Sequence, residues 1–313
     1  MRERLPIVAA TVSVTAVAAA ILLASVSAAP KGGAAEQPDA AYRKDYEKWK
    51  TERIDDLKQN WLNLAGLFWL QPGSNAFGTD PANAVVLPEG STVAHAGTFD
   101  MQDGRVTIRL APGLSGKSEL KAVKNSELQP DVSGKATIVE LGSLRMHVIK
   151  RGQRVGIRVQ DLDSPNVRRY QGSIFFPLDM SYRVVAKWIP ADGKKTVAVP
   201  NVLGDINDVR VPGTVEFSLA GEHLQLTALS GNPQKGLSFV FSDPTAKNDT
   251  YPGGRFLDTD PVSNGTVVID FNRAYNPPCA VTPYATCPLA PKENRLALAI
   301  PAGEKYDRTH GHH

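Results

Sequence analysis

The sequence predicts a mainly β protein, a sandwich or barrel of short antiparallel strands with one N-terminal docking helix. Three observations carry this. Apolar and polar residues alternate through short runs such as Arg105–Leu110, where Val106, Ile108 and Leu110 interleave with Arg105, Thr107 and Arg109. Gly, Pro, Asn and Asp punctuate these runs at roughly ten-residue intervals, the spacing of a sandwich or barrel. Convincing helical spacing occurs only over residues 42–58, where Tyr42, Tyr46, Trp49 and Leu57 share one face and Asp39 stands ready to cap the start. Such an aromatic stripe docks a helix onto a sheet; the alternative reading is a ligand platform.

The elements follow in order. Residues 1–28 read as a signal peptide, with Arg2 and Arg4, an apolar run over 5–26 and small residues at Val26-Ser27-Ala28. Left uncleaved, that run approaches the ~20 residues of a membrane-spanning helix. The small residues favour cleavage, and in either case the folded part is expected in the periplasm or outside the cell. Residues 29–41 are a flexible linker of Pro, Gly and Ala. Residues 42–306 then form a single β-rich domain, and 307–313 a tail whose His310, His312 and His313 read as a frayed terminus.

Strand-like runs begin with WLNLAGLFWL from Trp61 and continue over 84–87, 98–101 and 105–110. A meander follows over 137–141, 145–149 and 155–159, with turns at Gly142-Ser143 and Gly152-Gln153. Arg168-Arg169-Tyr170 reads as a loop, its paired arginines either clamping an anion or standing in solvent. Phe175-Phe176-Pro177 reads as core. Further strands cover 182–188, 215–219 and 224–228, and the continuous apolar run 237–241 reads as a central strand buried on both faces.

Composition narrows the function. Without the charged leader residues the chain has 33 basic against 31 acidic residues, and no basic stripe, which argues against nucleic acid. Membrane contact is expected only through an uncleaved leader. Neither a cofactor motif nor a metal-ligand spacing is present. A Gly-x-Ser-x-Gly nucleophile elbow is also lacking. Cys279 and Cys287, the two cysteines of an exported chain, are expected to form a disulfide.

Two resemblances add to this reading. GSNAFGTDPANAVVLPEGSTVAHAGTFDMQDGRVTIRL, within residues 61–111, resembles the core of a forkhead-associated domain, with Gly73 and Gly78 framing a turn and Thr92 three positions before His95. The resemblance implies a β-sandwich. It does not imply phosphothreonine binding, because Thr79 stands where that family carries its phosphate-binding arginine, and His95 is expected to pack. A second resemblance rests on GIRVQDLDSP, FPLDMSYRVVAKW, LSFVFSDPT, TYPGGRFLD, VIDFNRAYNPPCA, YATCPLAPKENRL and IPAGEKY, with WLNLAGLFWLQPGSNAFGTD ahead of them. These are similar, in this order, to domain-of-unknown-function family 1684 over nearly all of the mature chain. The resemblance implies a shared fold and a shared polar loop, and no activity.

That loop, within residues 251–306, is the expected site. Tyr275-Asn276-Pro277-Pro278 is stiff, since proline fixes φ and restrains its predecessor. Asp270 and Asn272 are expected on one strand face beside Val268. Arg255, Asp270, Asn272, Arg273, Asn276, Glu293 and Asn294 are expected to gather where the strand ending at Asp270 enters the loop and a strand over 295–300 leaves it. Three functions follow: binding of a small polar or anionic ligand; hydrolysis with Asp270, Glu293 or Glu304 as acid and base beside an arginine; or a loop that only braces the fold.

Overall fold

The computed structural model describes residues 37–119 and 121–308, so the leader, most of the linker and the tail histidines lie outside the described residues. Asp39 acts as expected. Its carboxylate accepts the Tyr42 N–H at 2.7 Å and opens α1 (Ala40–Asp56), which widens into a π-type turn over Leu57–Trp61. Trp61 therefore closes a helical turn and does not begin a strand. Tyr46 and Leu57 are buried, while Tyr42 and Trp49 are half-buried. Among the described residues no helix is long and apolar enough to cross a membrane.

Eleven short strands follow: β1 (Leu64–Trp69), β2 (Gly73–Gly78), β3 (Val85–Val86), β4 (Gly97–Gln102), β5 (Arg105–Leu110), β6 (Gly116–Ser118), β7 (Lys121–Val123), β8 (Asn125–Leu128), β9 (Val139–Leu141), β10 (Leu144–Arg151) and β11 (Arg154–Asp161). They form a six-stranded sheet, β1-β11-β10-β9-β6-β7, and a five-stranded sheet, β3-β2-β4-β5-β8. Alternation decides which side chains go inward: Val106 and Ile108 of β5 meet Phe77, Phe99, Met146 and Ile157 in one core. Phe77 and Phe99 pack ring to ring at 4.6 Å. Arg168 and Arg169 lie on a helical turn, α2 (Pro165–Arg169), capped by Ser164, where a loop was expected. Both are exposed and solvated, and Arg168 donates to the Asp163 carbonyl.

The second half adds β12 (Arg183–Pro190), β13 (Thr196–Pro200), β14 (Ile206–Arg210), β15 (Gly213–Leu219), β16 (Glu222–Ala228), β17 (Ser230–Asn232), β18 (Gly236–Phe241), β19 (Arg255–Asp258) and β20 (Thr266–Asp270). Its sheets run β16-β15-β12-β20 and β17-β18-β19, with β13 and β14 as a separate hairpin. The apolar run of β18 is the central strand of its sheet, as its composition predicts. Phe217, Phe239, Phe241, Leu257, Ile269 and Phe271 belong to the core of this half. The fold is thus mainly β and antiparallel; its sheets are open, and the described residues form no closed barrel.

The strand expected over 295–300 does not form. Arg295 makes one parallel bridge to Ser242, and the chain then runs irregularly to Tyr306. The cause is a competing set of partners. The Arg255 guanidinium donates to the Ile300 carbonyl at 2.9 Å and to the Ala302 carbonyl, while the Ile300 N–H goes to Asp243 at 2.7 Å. Arg255 and Asp243 themselves pair at 2.8 Å, each side chain 1% exposed. Backbone groups that a ladder would use are therefore held by a buried ion pair.

Side chains on the outer face of the six-stranded sheet reach residues of the second half and the turn after α1. Arg151 donates to the Thr286 hydroxyl at 2.9 Å, Arg154 to Asp205 at 2.7 Å, and Arg158 lies 5.8 Å from the Trp61 ring centre. His147 is the cross-strand partner of Arg158. Burial, reinforced by the Arg158 charge, pushes its pKa down from 6.5 to about 4.

Two outcomes follow from these features. Arg255→Ala leaves Asp243 buried without its counter-charge and is expected to cost roughly 3–5 kcal/mol in urea unfolding; a loss under about 1 kcal/mol would contradict the role given to the pair. His147 is neutral when folded and protonates more readily when unfolded. Its contribution is therefore complete above pH 6.5 and is lost as pH falls toward 4, by at most ~3 kcal/mol. Unfolding titrations of His147→Gln at several pH values should show a shallower decline over that window than the parent; an identical decline refutes the assignment.

Candidate functional site

The polar stretch is built from turns. Gly254 has φ +100°, and a Cβ there would lie 2.7 Å from the Phe241 carbonyl oxygen, so glycine is what allows Arg255 to enter beneath β18. β20 ends at Asp270, whose carboxylate caps the turn Phe271–Arg273 by accepting the Asn272 N–H at 3.2 Å. Asn272 is consequently not on the strand face predicted for it. Its side chain is buried, donating to Asp270 at 3.2 Å and to the Asp179 carbonyl at 2.8 Å while accepting the Asp179 N–H.

The remaining environment of Asp270 comes from elsewhere in the chain. Tyr42 of α1 donates its phenol proton to Asp270 at 2.7 Å, and the guanidinium nitrogens of Arg273 and Arg183 stand at 3.6 and 3.8 Å. Arg273 also pairs with Asp45 at 2.5 Å and lies over the Tyr42 ring. Burial, and then the bond to Asp270, raise the Tyr42 pKa. Asp270 thus accepts three hydrogen bonds, one from Tyr42 and two from Asn272, with two guanidinium groups close by.

Asn276 sits in a second group. Its N–H donates to Glu304 at 2.8 Å and its side chain to the Lys305 carbonyl at 2.8 Å. Its carbonyl accepts Arg53 of α1 at 2.9 Å, and that guanidinium stacks 4.5 Å over Tyr275. Asn294 forms a third group. It is fully buried, exchanges hydrogen bonds with the Thr227 backbone and donates to the Val240 carbonyl, so it bridges β16 and β18. Glu293, half-buried, is 4.0 Å from Lys292. Asp270 ends β20 and Asn294 attaches to β16, the opposite edges of one four-stranded sheet. The structure therefore brings together Asp270, Asn272 and Arg273, seats Asn276 beside them through α1, and places Arg255 and Glu293-Asn294 elsewhere. Gathering at one end would have needed the strand over 295–300 that Arg255 displaces.

What the sequence did not locate is a cleft of ≈ 620 Å³ between α1 and residues 173–178. Phe175 and Phe176, expected in the core, are half-buried and line it with Arg43, Tyr46, Lys50 and Ser173. The Lys50 ammonium lies 5.2 Å from the Tyr46 ring centre and 5.5 Å from that of Phe175; Lys305 lies 4.6 Å from that of Phe176. Behind the cleft, the Ser173 hydroxyl bonds to Tyr170 at 2.6 Å and to the buried Glu304. Burial pushes the Glu304 pKa up, and hydrogen bonds from Ser173 and Asn276 oppose that shift. The aromatic stripe of α1 was the sequence signal for this wall. A larger concavity of ≈ 950 Å³ lies against β12, β15 and β16, where Lys187 stands opposite Glu216 in the ladder and Ser218 bonds to His223 at 3.0 Å.

Two further expectations concern sulfur and histidine. Cys279 and Cys287 are buried side by side as free thiols, each backbone N–H 3.3 Å from the other's sulfur. His95 is exposed and does not pack; its ring meets Asn83 at 3.2 Å and Asp80 at 3.6 Å. The short loop that carries it stands outside both sheets. Among the described residues no cluster of His, Cys, Asp and Glu could hold a metal ion.

Comparison with known proteins gives the following. No curated protein matches the chain. A solution NMR structure of an uncharacterized protein from Haloarcula marismortui is similar at 31% identity, over 47% of this chain and 83% of that one, with a TM-score of 0.39. The forkhead-associated-like stretch and the motifs before α2 lie outside the range that a family model covers. Residues 168–305, which hold Ser173, the polar turns and both cysteines, match the family described as Protein of unknown function (DUF1684).

Proposed function

We propose that this chain is an exported protein that binds a small polar, anionic ligand in the cleft between α1 and residues 173–178. The carrying observation is the convergence there of Lys50 and Arg43 with the faces of Tyr46 and Phe175. Lys50 keeps a quarter of its side chain exposed, and its partner Glu47 is a mostly exposed one that a ligand anion can replace. Rings beneath a cation suit a planar or partly apolar acid, held by charge at one end and by stacking along its body. The leader supports export, and we extend the family resemblance from residues 168–305 to nearly all of the mature chain.

The Pro/Asn/Arg-rich loop has a supporting part in this reading. Asn276 and Glu304 hold Ser173 and residues 174–176 from behind, so the loop fixes one wall of the cleft. Hydrolysis by paired carboxylates is less well supported, because Asp270 is committed to Tyr42 and Asn272.

The test is a thermal-shift screen of the mature protein against carboxylates, phosphates, nucleotides and sugars, followed by titration of any hit. An anionic ligand should emerge, and Lys50→Met should weaken it about tenfold or more, the loss of one charge-assisted contact, at nearly unchanged melting temperature. Asn276→Ala should instead lower the melting temperature. Binding of neutral sugars only, or anion binding indifferent to Lys50→Met, defeats the proposal.

A further inference from the structure

The outer face of the six-stranded sheet carries a cation without an anion. Arg158 is 8% exposed, and its Nε has no hydrogen-bond partner. Its neighbour on β10 is His147, whose buried Nδ1 is also without a partner. The nearby carboxylate, Asp131, is already paired with Arg151 at 2.7 Å. A guanidinium is not deprotonated in a protein, so burial without a counter-charge is costly unless some other group supplies one.

On the far side of Trp61 from this guanidinium lies the cysteine pair. Cys279 and Cys287 share a small cluster with Ala285, against which Trp61 packs, and Trp61 in turn lies under Arg158. The reciprocal N–H to sulfur contacts fix the two residues opposite each other across the 279–287 loop. The other titratable or charged groups turned toward them are Tyr251, from the turn before Arg255, and Arg151, whose Nε holds Thr286 next to Cys287. Tyr251 is neutral at ordinary pH, and both arginines are positive. This is the electropositive setting in which a thiolate is stabilised.

We propose that Cys279 and Cys287 are a redox-active dithiol, with Arg158 as the counter-charge of the Cys279 thiolate, that exchanges with low-molecular-weight disulfides. The hydrogen bond with Cys287, then burial opposed by backbone contacts and the Arg158 charge, leave the Cys279 thiol below its ordinary pKa, while Cys287 is pushed up. Cys279 is also the more accessible of the two, 8% against 5% exposed, and is assigned as the attacking sulfur. Its thiolate displaces one half of a disulfide RSSR, forming a mixed disulfide and releasing RS⁻. Cys287 then loses its proton and attacks Cys279 Sγ, and the second RS⁻ leaves. Both thiolates take up protons, so the protein dithiol is oxidised by two electrons and RSSR is reduced to two RSH. The loop they close carries Thr286, so the redox state also bears on the Arg151 contact with the first half.

The experiment equilibrates the full mature chain, without denaturant, in buffers of graded reduced and oxidised glutathione, then quenches in acid and alkylates for mass analysis. The expected result is one two-electron transition within the glutathione range. Arg158→Met, which removes the charge that favours the reduced thiolate, should shift the equilibrium about tenfold toward the disulfide, and Arg158→Lys should restore most of it. Should Arg158→Met fail to fold, the pH dependence of the parent's reaction with oxidised glutathione decides: a rate that persists at pH 6 supports a low-pKa thiolate, and a rate that falls tenfold per pH unit from pH 8 downward refutes it. A disulfide reducible only after unfolding would be a structural cross-link, and thiols left untouched by oxidised glutathione would be inert. Either result overturns the proposal, as does an Arg158→Met midpoint equal to the parent's.

Discussion

The buried ion pair of Arg255 and Asp243 is the constraint on which the second half depends. It joins the second residue after β18 to the first residue of β19, and it takes the backbone of residues 300–302 as further partners. A charge pair removed from water is worth little by itself, since desolvation offsets most of its attraction. What it provides here is specificity. Thr245 donates two more hydrogen bonds to Asp243, so the carboxylate accepts from three directions and the loop after β18 has one way to lie. Because the 300–302 segment is captured in this way, Gly303 is brought against the turn after β20. A Cβ at Gly303 would sit 2.4 Å from the Ala274 carbonyl oxygen. Glu304 then lands where it can take the Asn276 N–H, and Phe175 is drawn alongside it.

Much of the β architecture is legible in the sequence because it is written locally. Period-two alternation in β5, the glycine turns beside β10 and β11, and the uninterrupted apolar run of β18 each encode a strand within a few residues. The Asp39 cap is equally local. Tertiary competition is not. Residues 295–300 have strand-like composition, and nothing nearby in sequence says that Arg255, some forty-five residues earlier, will occupy the Ile300 carbonyl. The same limit explains the site. Asp270 and Tyr42 are 228 positions apart, and the aromatic stripe of α1 did not by itself reveal that Phe175 would face it. A rule of adjacency in the chain grouped seven polar residues. The fold divided them according to which core each one closes.

The division has a physical logic. Asn272 and Asn294 are each buried where a chain reversal leaves backbone N–H and C=O groups unmatched, and an amide side chain can donate to one and accept from the other. Arginine supplies only donors, so Arg255 is found among carbonyls and a carboxylate, and Arg53 at a carbonyl over a ring. Polar residues in a stiff loop therefore resemble a binding site in sequence while functioning as a frame. The groups left with capacity are those outside the frame: the Lys50 ammonium at the cleft, and the guanidinium of Arg158.

The position of α1 has a consequence for anyone who would isolate the family-matched region. The helix lies more than a hundred residues ahead of residues 168–305 in the chain, yet it supplies the Asp270 phenol partner, the Asn276 carbonyl partner and one side of the cleft. A fragment cut to residues 168–305 would expose the faces of Phe175 and Tyr275 and leave Asp270 and Arg273 without their helix contacts. The matched range 168–305 therefore leaves out a helix against which its own surfaces pack. For this chain those surfaces are covered by α1, which opens at the Asp39 cap.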